Sequence, residues 1–342
     1  MNLKNIAYSI IILLGIGFLL IYLKSILIPF VFALLIWFII RDIKDRLNQN
    51  KVIRKKFPNW LINTMSLFII FFILGIVVLL VVENVKEMIA NGEEYQQKYY
   101  ALINLLYNEY NINLKEEGIK LLNQYNLTAS LNGLINAFST SLGNVFLVLI
   151  YVIFLVAEES TFTAKIKAIS SSREKYVSTL KTLKSINTTI GKYIALKTSV
   201  SLITGLLTLI VLSILKVDYP LFWSMLVFFF NYIPNIGSII ATIFPSVMAL
   251  IQFDSLTMFL VVLASISVIQ LVIGNFVEPK IMGDSLNISP LVVILALVFW
   301  GFLWGITGMI ICVPLTVIMI IVLSKFPMTR NIAVILSEKG MV

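Results

Sequence analysis

Three observations mark this sequence as an all-α, polytopic helical membrane protein. Hydrophobic residues make up 59% of the 342, and the mean hydropathy is +0.99, far above that of a soluble domain. Residues 219–253, 255–277 and 285–324 contain no Asp, Glu, Lys or Arg, and each run exceeds the roughly 18 apolar residues that cross a bilayer. The net charge of +9 comes from basic residues gathered in two loops and the C-terminal tail. That distribution sets orientation in a membrane and needs no nucleic-acid partner. About eight apolar segments are expected, with two inverted helical hairpins in the C-terminal half.

Taken in order, residues 6–23 and 26–40 are apolar and read as two helices joined by a tight turn at Lys24 and Ser25, with Pro29 in the first turn of the second. Residues 41–60 hold seven bases against two acids, which makes this loop cytoplasmic. A span over 61–82 completes the first part, 1–82. Residues 83–140 form a polar insertion, with seven acids and four bases between Glu83 and Lys120. Leu102, Leu105 and Leu106 recur at helical spacing there, and Tyr95, Tyr99, Tyr100, Tyr107 and Tyr110 suit its base. An external helical cap is expected. The third part, 141–198, holds a return span and cytoplasmic surface helices broken at Ser170–Arg173, with eight bases and three acids between 158 and 198. The last part, 199–342, is expected to be the working unit. It begins with a span over 199–215 and ends in a cytoplasmic tail.

Within it, the run 219–253 is broken at Asn231-Tyr-Ile-Pro-Asn-Ile-Gly237. Pro234 removes a backbone donor and Gly237 permits a turn, so a helical hairpin is expected. Broken backbone at membrane depth is tolerated only where protein or a water-filled cavity surrounds it. The run 289–324 carries Gly301, Gly305 and Gly308 at its middle and reads as a second hairpin. Pro220 opens the first and Pro290 the second; Gly237 and Gly308, then Pro245 and Pro314, follow at matching intervals. Each hairpin is preceded by one span, and the two spans run oppositely. This is the inverted-repeat plan of secondary transporters, whose sites lie at broken helices.

The chemistry available is narrow. There is no His and a single Cys, Cys312. That removes His-based zinc sites, Ser-His and Cys-His catalysis and a disulfide framework. No enzyme, cofactor or metal site is expected. Candidate pathway residues are instead the broken segments and the polar groups beside them: Asn231, Pro234, Asn235, Gly237, Gln270, Asn275, Glu278, Lys280, Gly301, Trp304, Gly305 and Gly308. Glu278 and Lys280 straddle Pro279 and are expected to pair, either as an ion or proton site or as a structural pair fixing the hinge. The amides suit a small polyol or helix-to-helix hydrogen bonds. Trp304, with Trp300, suits a sugar-like ring or the membrane interface.

The segment Asn231–Gly237, the box Asn275-Phe-Val-Glu-Pro-Lys-Ile-Met-Gly283, Ser289-Pro-Leu-Val-Val, and Phe299-Trp-Gly-Phe-Leu-Trp-Gly305 with Val313-Pro-Leu315 resemble the bacterial autoinducer-2 exporter family of transporters. The likeness is specific over about 190–325 and extends to the first half in layout only. It implies a multi-pass inner-membrane protein and a homo-oligomer, with a pentamer among the implied forms. It implies export of the furanosyl signal in some members and sodium or lithium exchange for protons in others. The charge pattern places both termini in the cytoplasm. The expected partners are a small-molecule or ion substrate and the lipid bilayer. Three functions remain open: export of a small polar solute, cation/proton antiport, and a non-saturable channel or membrane scaffold.

Overall fold

The computed structural model describes residues 3–49, 59–98, 127–282 and 286–340, and among these it is all-helical, with no strand. Residues 99–126 of the cap expected over 83–140, with Tyr99, Tyr100, Leu102, Leu105, Leu106, Tyr107 and Tyr110, lie outside the described residues. The helices are α1 (Leu3–Tyr22), α2 (Lys24–Gln49), α3 (Asn59–Ala90), α4 (Leu127–Ile169), α5 (Arg173–Ile214), α6 (Pro220–Phe230), α7 (Ile236–Phe253), α8 (Leu256–Val272), α9 (Glu278–Met282), α10 (Pro290–Leu323) and α11 (Arg330–Leu336). A π-helical turn, Ile273–Val277, joins α8 to α9. Among the described residues, five helical stretches are long and apolar enough to cross a membrane: Lys24–Arg41, Arg173–Ile214, Ile236–Phe253, Leu256–Met282 and Pro290–Leu323. The bent pair within α4, Val145–Glu159 and Thr161–Ile169, makes a sixth if counted as one.

The chain forms two compact units, each assembled from separated stretches. The first takes residues 1–66, 144–196 and 284–342; the second takes 67–143 and 197–283.

In the first unit, α1 and α2 differ from the tight turn expected at Lys24 and Ser25. The turn falls one residue earlier, at Leu23, whose N–H bonds the Leu19 carbonyl and whose own carbonyl accepts from the Ile26 and Leu27 N–H groups. Pro29 consequently lies inside α2 and not in its first turn. It withholds a donor from the carbonyl one turn back, a cost that neighbouring packing must offset. Near its far end, α2 places Arg41 3.8 Å and Lys44 3.6 Å from Glu159 of α4.

Helix α10 doubles back on itself. Gly305 has φ 64° and ψ −146°, a conformation closed to residues with a Cβ. The Trp300 indole N–H then donates to the Thr316 hydroxyl at 3.1 Å, although 16 residues of straight helix would hold them about 24 Å apart. The two arms touch closely: a Cβ on Gly308 would collide with the Trp300 carbonyl. Helix α11 closes this element. Its Ala333 packs in one apolar cluster with Ile288, Val292 and Ile320, so both ends of α10 are gathered there. Backbone bonds from Ser289 N–H to Leu336 O and from Glu338 N–H to Asn287 O strap the C-terminal segment to the opening of α10.

In the second unit, Val81, Val85 and Met88 recur along one face of α3 and bury against Leu212, Phe222, Trp223, Met248, Val262 and Ile266. Helices α6 and α7 lie against each other across the five-residue break 231–235. A Cβ on Gly237 would collide with the Phe230 carbonyl, as one on Gly308 would with Trp300. The two helix pairs therefore share a device, a glycine seated on the last turn of the preceding arm.

Helix α5 departs from the expected separation of surface helix and span at 198/199. It runs unbroken for 42 residues, giving 173–196 to the first unit and 197–214 to the second. The expected interruption at 170–172 is present.

Candidate functional site

The site begins with a stripe on α5. Lys197, Ser201, Thr204 and Thr208 fall at i, i+4, i+7 and i+11, one face of a helix. All four are buried; Lys197 is 6% exposed and the other three are fully enclosed. Thr204 and Thr208 satisfy their hydroxyls internally, donating to the carbonyls of Val200 and Thr204 at 2.9 Å. Lys197 and Ser201 reach other elements instead.

The break between α6 and α7 docks on this stripe. The Asn231 side-chain amide donates to the Ser201 hydroxyl at 3.1 Å. One residue on, the Tyr232 hydroxyl meets the Thr198 hydroxyl at 2.7 Å. Proline and glycine stop the helix here, and its polar residues then settle within one turn of α5.

The third element is the end of α8. The π turn Ile273–Val277 closes with the Glu278 N–H bonded to the Ile273 carbonyl, five residues back. Pro279 has no N–H to give, so the wider turn ends where an α-helical ladder would lose a rung. The turn aims Glu278 at α5, where its carboxylate forms an ion pair with Lys197. The lysine side chain is 8% exposed and the glutamate 24%, so the carboxylate is the accessible half. The expected partner, Lys280, is exposed and unpaired with Glu278. Residues two apart on a helix point to opposite sides, which defeats the Glu278–Lys280 pairing.

The remaining candidates divide. Gln270 lies one element along from the pair, with its side-chain N–H₂ group buried and without a hydrogen-bond partner among the described residues. Asn275 and Asn235 are exposed, Pro234 is half-buried, and Gly237 is buried against α6. Gly301, Trp304, Gly305 and Gly308 belong to the first unit. There Trp304 is buried, and its indole N–H donates to the Leu20 carbonyl at 2.9 Å, which makes it an internal peg. Gly301 faces the Met309 side chain. Sequence reasoning passed over Lys197, Thr198 and Ser201, because the basic residues of 158–198 read as solvated. The period of buried hydroxyls continuing from Lys197 into the span was the signal that could have found them.

A second polar cluster ties α3's continuation to the α5–α6 turn. Tyr95 donates to the Asp218 carboxylate at 2.8 Å, and the Asn91 amide donates to the Tyr219 hydroxyl at 2.8 Å. Gln252 accepts from the Asp218 N–H at 2.7 Å and donates to the Lys216 carbonyl at 2.9 Å. Burial first, then the hydrogen bonds of Tyr219 and Asp218, hold the Tyr95 phenol far above its ordinary range, so it remains a donor.

The sequence pattern of the AI-2E family transporter matches residues 8–328. The chain belongs to the AI-2E transporter family. That family is one of transporters, as the motifs implied, and the long apolar helices mark the chain as a membrane protein. Among its relatives in this family, a protein of Borreliella burgdorferi, provisionally named for transport, is 40% identical over 213 residues, covering 61% of this chain and 57% of its own length. The AI-2 transport protein TqsA of Escherichia coli K12 is 38% identical over 208 residues, 61% of this chain and 59% of its own. These two matches span less than two thirds of either relative. A Haemophilus influenzae protein, also provisionally named for transport, is 32% identical over 355 aligned residues, 98% of this chain and 96% of its own.

Proposed function

We propose that this AI-2E family member is a secondary transporter of the bacterial inner membrane that exports a small polar organic solute such as the autoinducer-2 signal. The observation that carries the reading is the cluster on α5: Lys197 and Glu278, the Asn231–Ser201 bond and the Tyr232–Thr198 bond sit within one or two turns, where the charge-free stretch of that helix begins. Paired donors and acceptors of this kind can exchange their internal partners for the hydroxyls of a polyol at little net cost. The name of TqsA supports the choice of solute. Both termini face the cytoplasm in this reading, and the protein works as a homo-oligomer, with a pentamer as the form to test first.

The test is efflux of autoinducer-2 from proteoliposomes. A carrier gives saturable flux, and Asn231→Ala and Tyr232→Phe lower it at least tenfold, roughly the loss of 1.4 kcal/mol or more of solute contacts. Flux that rises linearly without saturating would point to a channel. Flux of sodium or lithium against protons with no solute movement would point to a cation antiporter.

A further inference from the structure

We propose that Glu278 is a proton-binding site of the transport cycle, and that its protonation releases Lys197 and lets the π turn 273–277 collapse to α-helical register. The inference rests on the transport reading and adds the ion that the same site takes.

Three features carry it. First, the pair is lopsided. Lys197 is enclosed while Glu278 keeps a quarter of its side chain open, so a proton reaches the carboxylate without displacing the lysine beforehand. Second, the released ammonium has somewhere to turn. The Ser201 hydroxyl lies one helical turn away, and the Asn231 amide oxygen and the Tyr232 hydroxyl belong to the groups docked on that turn. Third, the segment that holds Glu278 in place is free to rewind. Gly274, Asn275 and Phe276 are exposed, and nothing lies within 4 Å of the space a Cβ on Gly274 would take. A π turn holds one residue more than the α-helical ladder, and a turn of this kind is a frequent functional device. Losing it rotates everything downstream by one residue's worth of helix, about 100°. Glu278 then leaves α5.

The proton goes to a carboxylate oxygen of Glu278, and Lys197 keeps its own. The charged group facing Glu278 is Lys197 from α5; Tyr232, from the break beyond α6, bonds Thr198 beside that lysine, and Lys280 on the same helix as Glu278 is exposed. Among the described residues no group of three or more acidic, His or Cys side chains gathers as a metal site would. The proton is the ion proposed, with sodium as the rival that the experiment distinguishes.

The experiment measures spin-label distances in the full chain in nanodiscs, with Cys312→Ser to remove the native thiol. One label is placed at Leu202 on α5 and the second at Ile281, beyond the turn, or at Val272, before it; all three side chains are exposed. Between neutral buffer and buffer in the ordinary carboxylate range, about pH 4 or below, the 202–281 distance should change by up to about 8 Å, the chord of that rotation at the rim of a helix, while 202–272 holds still. Glu278→Gln should give the acid distance in both buffers, and Glu278→Asp should keep the response. A pH-invariant 202–281 distance overturns the proposal, as does an equal shift at 272, which would mean rigid motion. A shift driven by sodium at fixed pH, with none from protons, reassigns the site to a metal cation and also overturns it. If the distances respond as expected but autoinducer-2 does not move in liposomes, the solute reading fails and the proton site stands.

Discussion

Removing either charge of the Lys197–Glu278 pair strands the other in a poorly hydrated site, and the loss falls unequally. Glu278→Gln leaves the more deeply enclosed charge alone, so it should destabilise more than Lys197→Gln. The expected cost is about 3 kcal/mol, the lower end for a buried pair, because the glutamate is partly open. The double variant should be milder than either single change, and strictly additive losses in denaturant unfolding would show the two side chains to be uncoupled. Trp304→Phe tests a different kind of residue. It keeps the apolar bulk and deletes only the donor to the Leu20 carbonyl, so it should cost about 1 kcal/mol with transport retained. A loss of flux at unchanged stability would return Trp304 to the solute path.

At the scale of the element, glycines that look alike in the sequence have separate duties. Gly237 and Gly308 are seated on the carbonyls of Phe230 and Trp300. Alanine there must push two helices apart, at about 1–3 kcal/mol. Gly305 has open space around it and is held by its positive φ instead, so alanine costs about 1–2 kcal/mol through backbone strain. Gly274→Ala meets neither obstacle and should favour α geometry in the turn by up to about 1 kcal/mol. Thermal unfolding of the four alanine variants should therefore separate them, with 237 and 308 lowest and 274 at or above the parent. The sequence made the break at 231–237 legible, because Pro234 and Gly237 act locally. It also showed Gly301, Gly305 and Gly308 as a weak point. It could not show the partner of Glu278. That depends on α5 running unbroken past residue 198 and on a π turn whose register no local residue pattern announces. The turn between α1 and α2 was placed one residue late, at Lys24 and Ser25, because those two are polar and Leu23 is not.

For the whole molecule, charge counts give an orientation that can be checked directly. A cysteine at Glu94, an exposed position of the helical stretch 92–98, should react with an impermeant reagent from outside intact cells; one at Ser171, in the bend before α5, should not. The opposite labelling would invert the topology drawn from the basic loops. All-helical architecture and membrane residence followed from composition and charge-free runs alone, since both are sums over many residues. The division into two units did not, because it depends on which distant stretches pack together.

That division bears on how the protein is made. The first unit draws on residues 1–66, 144–196 and 284–342, and the second on 67–143 and 197–283. During translation, α1 and α2 emerge early and must wait in the membrane for α10, while the second unit can close as soon as residue 283 has been added. Severing the gene after position 143 yields two fragments, neither holding a complete unit. Each should be degraded when made alone and should persist only when both are made together.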